Sequence, residues 1–245
     1  MILLVSLEPG NLRVVLVATR NPLNLGAAAR AMSNFGFLKL RVVNPYQLAF
    51  REARSAVGAS TVLKNAGEYA SVAKAVADCS LVVGTTTLRD RERQHEIHRL
   101  EIGAARIRGS LVSGRVALLF GSEKTGLSNE DLSHCHWLMH IPTREKHPAM
   151  NLGQAVAVCL YEIVRSEQAK IPASSTDRAS SEQLERITAV LLDVLRGSGY
   201  FSKNASQSSE AKLRRLVRRL QFDASDAELL LGMLRQILWK VRSPK

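Results

Sequence analysis

The stretch "LRVVLVAT" (Leu12–Thr19) is followed after one residue by "NPLNLGAAARAMSNFGF" (Asn21–Phe37), and the two together decide the fold. The first is apolar and rich in β-branched residues, which predicts a buried strand. The second predicts a loop that leads into a helix. This loop lacks the repeated glycines of a nucleotide-binding turn, and Arg30 stands alone in an otherwise small and apolar helix. A function for the chain has to account for both features.

Apolar runs of this kind recur along the first two thirds of the chain and alternate with helical patterns. The predicted strands are Arg13–Ala18, Lys39–Val43, Leu81–Gly84, Val116–Phe120 and Trp137–Ile141. The predicted helices are Leu25–Asn34, a segment around Tyr69–Ala77, and Asn151–Arg165. Strands that alternate with helices at this spacing predict an α/β domain with a mostly parallel sheet.

A change of composition near residue 170 divides the chain. The segment "IPASSTDRASS" (Ile171–Ser181) is poor in large apolar residues and rich in Ser, Ala and Pro, which predicts a linker. Only helical patterns follow it. We therefore predict an α/β domain over residues 1–170, a linker over 171–183 and a small helical domain over 184–245.

The helical part carries a basic amphipathic pattern, "KLRRLVRRL". Its apolar residues fall at positions i, i+3, i+4 and i+7, namely Leu213, Leu216, Val217 and Leu220. This spacing leaves four arginines on the other face of the predicted helix: Arg214, Arg215, Arg218 and Arg219. The pattern fits either a surface that binds a polyanion or a solvated face. "DAELLLGMLRQILWKV" predicts a further helix.

Composition favours a nucleic-acid partner and a reducing compartment. The formal charge is +12, and both parts of the chain are basic, which is typical of proteins that bind polyanions. The alternative is that the charge serves solubility alone. The three cysteines are odd in number and lie in apolar sequence, as expected of reduced core thiols in the cytoplasm. The N-terminal "MILLVSL" is too short to span a bilayer and lacks a preceding basic segment, so we expect a soluble, uncleaved protein.

The segment "LLFGSEKTGLSNEDL" (Leu118–Leu132) places a glycine-bounded turn directly after a predicted strand. It is not a Walker A loop, because Leu127 follows Gly126 where that motif needs a lysine. The segment around Arg30 likewise lacks the G-x-G-x-x-G pattern of dinucleotide sites. Both absences argue against kinases, nucleoside triphosphatases and dehydrogenases. Ser128 and Asp131 predict a capping box that begins a helix just beyond the turn.

Two further segments carry polar loops after predicted strands. They are "VVGTTTLRD" (Val82–Asp90) and "HIPTREKHPAMNLGQAVAVCLYEI" (His140–Ile163). Ligands of α/β proteins bind at the carboxyl ends of parallel strands, so we expect these loops and the Gly121–Gly126 turn to converge on one site. A tight structural turn is the alternative for the glycines.

The cluster "HCHWLMH" raises the question of a zinc site, with His134, Cys135, His136 and His140 as the candidate ligands. No second paired cluster follows it, and the alternation of a strand would disperse these side chains. We therefore expect no metal.

Three segments together resemble the three successive motifs of the SpoU (TrmH-type) RNA 2′-O-ribose methyltransferases, a branch of the SPOUT superfamily. They are "NPLNLGAAARAMSNFGF", "LLFGSEKTGLSNEDL" and "IPTREKHPAMNLGQAVAV". The first motif and the helical tail are most similar to the enzymes that modify position 32 in the anticodon loop of tRNA. The resemblance implies an α/β fold with a deep trefoil knot, a homodimer, S-adenosyl-L-methionine (AdoMet) as cofactor, S-adenosyl-L-homocysteine as product, and no metal.

The resemblance also implies roles for individual residues. The catalytic positions are Arg30, Asn24 and Asn151. The cofactor-binding positions are Thr85, Thr86, Thr87, Gly121, Glu123, Ile141, Pro148, Ala149 and Met150. The RNA-binding positions are Arg30 and the tail arginines Arg214, Arg215, Arg218 and Arg219.

AdoMet carries no phosphate, which explains why the loop before Arg30 has no pyrophosphate cradle. We expect Ala27–Ala29 to let the RNA backbone approach, and Asn24 and Gly26 to shape a turn, with Gly26 allowing close approach or an unusual φ. One position departs from the family pattern. The family has a serine before the Asn of the third motif, and this chain has Ala149 there.

Three functions fit these observations. The first is AdoMet-dependent 2′-O-methylation of C32 or U32 in tRNA. The second is SpoU-type methylation of another tRNA or rRNA site. The third, suggested by Ala149, is a catalytically weak RNA-binding protein that keeps the knot.

Overall fold

A parallel sheet forms the centre of the computed structural model, which describes residues 8–55, 61–87, 95–165, 177–201 and 207–243. Of the segments discussed above, Met1–Leu7 lies outside the described residues. So do residues 88–90 of Val82–Asp90 and residues 171–176 of Ile171–Ser181. In the described ranges the strands are β1 (Leu12–Val17), β2 (Leu40–Val43), β3 (Gly67–Tyr69), β4 (Leu81–Thr86), β5 (Ile97–Arg99), β6 (Val116–Phe120) and β7 (Trp137–His140).

The helices of the described residues fall between the strands and then continue beyond the last one. They are α1 (Pro22–Asn34), α2 (Gln47–Ser55), α3 (Thr61–Lys64), α4 (Val72–Val76), α5 (Leu100–Ser113), α6 (Asn129–Ser133), α7 (Leu152–Arg165), α8 (Ser181–Gly197), α9 (Gln207–Arg219) and α10 (Ala224–Arg242). None of these helices combines the length and apolar character that a membrane span requires.

The seven strands pair in the order β3-β2-β1-β6-β4-β7-β5, and every described pairing is parallel. All six residues of β1 are buried, because the strand pairs with β2 on one side and β6 on the other while helices cover both faces. Val14 belongs to one apolar core and Val15 to the other. The predicted α/β class and all five predicted strands are confirmed.

Helices pack on both faces of the sheet. Buried side chains of α1, α5 and α7 join the larger core, and those of α4 and α6 join the smaller one. The predicted helix around Tyr69–Ala77 was too long, because Tyr69 closes β3 and the helix begins only at Val72. All the parallel strands end at the same edge of the sheet, so the loops after β1, β4, β6 and β7 share that edge.

Helix α1 begins earlier than expected. The Asn21 side chain accepts a hydrogen bond from the Leu23 N–H (2.9 Å) and Pro22 occupies the first turn, so the helix begins at Pro22 and not at Leu25. Gly26 is therefore helical, and a Cβ added there would meet nothing within 4 Å. The unusual φ expected at Gly26 was wrong, whereas close approach of a substrate there stays a prediction.

Helices α8, α9 and α10 form what we call the helical extension (the described residues after 176), and they have an apolar core of their own. Ser180 and Gln183 form a capping box, so α8 begins at Ser181, inside the stretch predicted as linker. The first N–H groups of α8 donate to carbonyl oxygens of the α/β domain, from Ser181 to Cys79 (2.8 Å) and from Glu182 to Ala77 (3.0 Å). The extension is thus docked on the amino-terminal part of the chain.

Candidate active site

The loops after β4, β6 and β7 meet around a cavity of about 300 Å³ at the carboxyl edge of the sheet. The structure therefore brings together the three loops that were expected to converge. All nine residues assigned to a cofactor by resemblance line this cavity: Thr85, Thr86, Thr87, Gly121, Glu123, Ile141, Pro148, Ala149 and Met150. Its volume lies within the range of small-molecule and cofactor sites.

The loop after β6, Gly121–Leu127, is folded tightly on itself. A Cβ at Gly121 would lie 2.0 Å from the Gly126 carbonyl carbon, so only glycine fits there. Gly126 has φ +68°, which also favours glycine. Its N–H donates to the Ser122 carbonyl oxygen (2.8 Å). The two glycines thus serve a tight turn, and the turn presents backbone groups to the cavity.

The predicted capping box beyond this loop is confirmed. The Ser128 hydroxyl accepts a hydrogen bond from the Asp131 N–H (3.1 Å), and the Asp131 carboxylate accepts one from the Ser128 N–H (2.8 Å). Helix α6 begins at Asn129, directly after the cap residue Ser128. Leu127, the residue before the cap, is buried in the smaller core. The end of the cavity loop is therefore fixed by α6.

The other two loops are held by hydrogen bonds from threonine hydroxyls. Thr85 Oγ1 donates to the Leu119 carbonyl oxygen (2.9 Å), which ties the end of β4 to β6. Thr143 Oγ1 donates to the Pro148 carbonyl oxygen (3.2 Å) and closes the loop after β7. Ala149 lines the cavity and has no hydroxyl to offer at its wall.

A chain of side-chain hydrogen bonds joins the three motifs. Asn24 Nδ2 donates to Glu123 Oε1 (2.8 Å), and Asn151 Nδ2 donates to Asn24 Oδ1 (2.9 Å). Asn151 Oδ1 in turn accepts from the Gly153 N–H (2.9 Å) at the start of α7. Each partner fixes which end of the next amide is donor, so the chain sets α1, the cavity loop and α7 in one arrangement.

Arg30 lies on α1 and takes no part in these hydrogen bonds. Its side chain is exposed, it does not line the cavity, and it makes no hydrogen bond or ion pair with the described residues. Ala28 and Ala29 are buried, and a Cβ at Gly153 would lie 2.5 Å from the Ala27 Cβ. Ala28 and Ala29 therefore serve close packing of α1 against the core, and for these two residues the expectation of contact with RNA was wrong. Ala27 is exposed, and room for RNA beside it stays a prediction.

Comparison with known proteins identifies the family. The profile of the SpoU rRNA Methylase family matches residues 11–161, which is more than half of the chain. The chain belongs to the SpoU family. The tRNA (cytidine/uridine-2′-O-)-methyltransferase TrmJ of Sodalis glossinidius is 34% identical over 233 residues, covering 93% of this chain and 91% of that protein. TrmJ of Yersinia pestis is 34% identical over 237 residues, with the same coverage.

A solved SpoU structure extends this likeness to the fold. The crystal structure of TrmJ from Z. mobilis ZM4 is 30% identical and superposes with a TM-score of 0.79, covering 92% of this chain and 98% of that chain. The predicted SPOUT fold and the family resemblance are confirmed. Because the coverage passes residue 176, the likeness includes the helical extension.

The arginines of α9 are not where the sequence pattern placed them. Arg214 and Arg218 are only 4% and 1% exposed, Arg215 is also buried, and of the four only Arg219 is exposed. Helix α9 turns this face toward α6 and α8, and it leaves the apolar Leu216 partly in solvent. The expectation of one open arginine face was wrong, because helical periodicity does not distinguish solvent from acidic side chains on a neighbouring helix.

The histidine cluster of this SpoU protein is part of the core. Cys135 and His134 are buried, and burial raises the pKa of the Cys135 thiol to about 12. His136 Nδ1 accepts a hydrogen bond from the Val82 N–H (3.1 Å), and burial lowers the pKa of this imidazole to about 3. Among the described residues, no group of three or more His, Cys, Asp or Glu side chains is arranged to hold a metal.

Basic side chains at the rim of the cavity did not figure among the sequence candidates. Lys124 lines the cavity, and Arg20, Arg144 and Lys146 are exposed on the loops around it. The signal was available, because each of them follows directly after a strand or lies within a motif loop.

Proposed function

We propose that this SpoU protein transfers a methyl group from AdoMet to the ribose 2′-OH of a cytidine or uridine in tRNA, at position 32 of the anticodon loop. The observation that carries the proposal is the convergence of the three motif loops on one cavity, in a chain that matches named tRNA 2′-O-methyltransferases over nearly its whole length. Position 32 rests on the resemblance of the first motif and the tail.

The cavity suits AdoMet better than a nucleotide phosphate. Its walls are mostly backbone of tight loops, apolar side chains such as Ile141, and the Thr85–Thr87 hydroxyls. Glu123 and Lys124 are the two charged residues among the described lining residues, so the lining carries no net positive charge of the kind that a phosphate group would need. When bound, AdoMet supplies an activated methyl group on a sulfonium centre. The reaction needs no metal.

The protein's part in the reaction is to orient and activate the hydroxyl. A ribose 2′-OH is a weak nucleophile and must lose its proton near the transition state. Arg30 is a poor base, since an arginine has a pKa above about 12. We assign it to orienting the hydroxyl and the adjoining phosphate, and to stabilising negative charge that develops on the oxygen. Asn24 and Asn151 hold the loops that form the cavity.

The partner and its setting follow from charge and exposed apolar surface. The net charge of +12 and the basic rim favour an RNA backbone. Leu23 on α1 and Tyr161 on α7 are exposed and apolar, and we assign this side of the α/β domain to a homodimer interface. The three buried free cysteines suit a reducing cytoplasm.

The direct test is methyl transfer with purified protein, AdoMet and unmodified tRNA, followed by mapping of 2′-O-methyl groups. We expect one new methyl group, at position 32. A methyl group at another tRNA position, or on rRNA only, would favour the second function. Binding of tRNA without methyl transfer, and without AdoMet binding in calorimetry, would favour the RNA-binding protein that Ala149 suggests.

A further inference from the structure

The buried side chain of Arg214 joins three carboxylates from three helices. Its Nε donates to both oxygens of Glu185 on α8 (3.0 and 3.1 Å), and its Nη2 donates to Glu210 on α9 (2.8 Å). Its Nη1 donates to Glu130 (2.9 Å) and to the Ser133 hydroxyl (3.0 Å), both on α6. The guanidinium therefore connects the helical extension to the α/β domain.

Arg218 repeats the connection one turn later. Its Nε donates to the carbonyl oxygen of His134 (2.8 Å), the residue that caps the C-terminus of α6, and its Nη2 lies 3.5 Å from Glu185. Burial lowers the pKa of Arg218 to about 10, so it stays charged at neutral pH. Both ends of α6 are thus hydrogen-bonded to α9.

Helix α6 is also the anchor of the cavity loop. It has only five residues, too few for a helix to be stable without packing partners. Ser128 caps it, and the cavity loop Gly121–Leu127 ends at the residue before that cap. A shift of α6 therefore moves one wall of the cavity.

We propose that Arg214 is a positioning residue for the cavity loop, and that through it the docked helical extension sets the affinity of the cavity for its cofactor. Taking that cofactor to be AdoMet rests on the proposed function. Arg214 does not line the cavity. It acts by holding Glu130 and Ser133, so that α6 presents the loop in the conformation that binds.

Two glutamates provide a matched pair of variants. Glu130 and Glu210 are both 41% exposed and both ion-pair with Arg214, at 2.9 and 2.8 Å. Only Glu130 stands on α6. Glu130→Gln and Glu210→Gln therefore remove the same kind of interaction from the same guanidinium, one on the side of the cavity and one on the side of the extension.

The experiment measures AdoMet affinity by calorimetry on the full chain, together with KM for AdoMet and kcat. We expect Glu130→Gln to weaken AdoMet binding about five- to tenfold, a typical coupling between linked sites, and to raise KM more than it lowers kcat. Glu210→Gln should stay within about twofold of wild type, the scatter expected of an uncoupled site. Equal effects of the two variants, or none, would overturn the inference.

A double variant separates the connection through Arg214 from any local effect of Glu130 on α6. In an Arg214→Gln background, Glu130→Gln should weaken AdoMet binding no further, because the interaction is already lost. A full additional loss in that background would refute the role of Arg214. If Arg214→Gln does not fold, the Glu130 and Glu210 pair decides alone. A wild-type protein that bound no AdoMet would overturn the proposed function together with this inference, whereas normal binding by Glu130→Gln would overturn the inference only.

Discussion

Arg30 projects from α1 into solvent and pairs with no described side chain. Its guanidinium is therefore available to bind a substrate. Arg30→Ala should leave the fold and AdoMet affinity nearly unchanged, since the residue neither packs in the core nor lines the cavity. Loss of one charge-stabilising group should lower the single-turnover rate on tRNA by about 10²- to 10³-fold.

Two controls define the role of Arg30. Arg30→Lys should restore little activity, because lysine lacks the planar, two-pronged donor geometry of arginine. Arg99→Ala removes another exposed arginine, on the edge strand β5, and should keep wild-type turnover. A rate for Arg30→Ala within a few-fold of wild type would make Arg30 a surface residue without a part in the reaction.

The hydrogen bond between Asn24 and Glu123 can be tested with a variant whose activity should depend on pH. In Asn24→Asp a second carboxylate faces Glu123 at the position of the present 2.8 Å hydrogen bond. Two carboxylates at this distance disfavour ionisation of both, so a proton restores the bond. We expect a rate at least about tenfold below wild type at pH 8, the loss typical of a hydrogen bond to a charged group, with partial recovery at pH 6.

The isosteric Asn24→Leu variant has no group to protonate and is the control for Asn24→Asp. It should be impaired equally at both pH values when each rate is divided by that of wild type. If Asn24→Asp showed the same flat ratio, the hydrogen bond to Glu123 would not be the feature that matters.

The sequence predicted these site residues only through the order of three motifs. Glu123, Asn24 and Asn151 are separated by up to 127 positions, and nothing in their spacing indicates that they form one hydrogen-bonded chain. Ala28 and Ala29 show the opposite error. Small residues beside Arg30 suggested room for RNA, but the same smallness serves helix packing, and sequence alone does not separate the two uses.

At the scale of elements, the end of α6 makes stability depend on pH. His134 is 5% exposed, and burial together with the nearby Arg218 and Arg214 charges lowers its pKa to about 3. An unfolded histidine has a pKa near 6.5. Below pH 6.5 the histidine becomes protonated in the unfolded chain but stays neutral in the folded protein. The free energy of unfolding therefore decreases as the pH is lowered.

The expected size is about 1.7 kcal/mol for this histidine between pH 6.5 and 5. His134→Asn should therefore show a shallower loss of unfolding free energy than wild type over this interval, measured by urea unfolding. His147→Asn removes an exposed histidine and should keep the wild-type slope. Identical slopes for all three proteins would show that the folded protein accepts the proton at His134.

Long apolar strands were predictable, and short or interrupted elements were not. All residues of β1 and β6 are buried, and a strand that is buried on both faces has a continuous apolar sequence, which is easily recognised. Strands β3 and β5 have only three residues each, two partly buried and one exposed, and so show no hydrophobic pattern in the sequence. Helix α5 was missed although Leu100, Ala104, Ile107 and Leu111 are buried at helical spacing, because its glycines and serines weaken the signal.

At the scale of the whole molecule, the net charge indicated the class of partner, whereas no local pattern in the sequence indicated the topology of the fold. The net charge of +12 pointed to a polyanion, but it did not show which arginines are free to meet one. Arg214 and Arg218 are largely neutralised by Glu185 and Glu130. The strand order and the knot of the SPOUT fold arise from pairings between distant segments, which no local pattern encodes; the family motifs alone indicated them.

Removal of the residues after 176 tests how the two parts of the molecule cooperate. The two cores of the α/β domain contain no residue of the helical extension, so the shortened protein should fold. It should bind tRNA more weakly, and its affinity should fall less steeply with salt, because it lacks exposed basic residues of the extension such as Arg219, Arg235 and Lys240 and so makes fewer phosphate contacts. The intact protein over the same salt series is the reference.

The same deletion should also affect the cofactor site, because the helical extension holds α6. Without the extension, Glu130 and Ser133 lose Arg214, and the five-residue helix that ends the cavity loop loses the partners that hold it. AdoMet affinity should therefore fall about five- to tenfold, as for other linked sites. A shortened protein that bound AdoMet as tightly as the intact chain, while binding tRNA less well, would confine the extension to RNA binding.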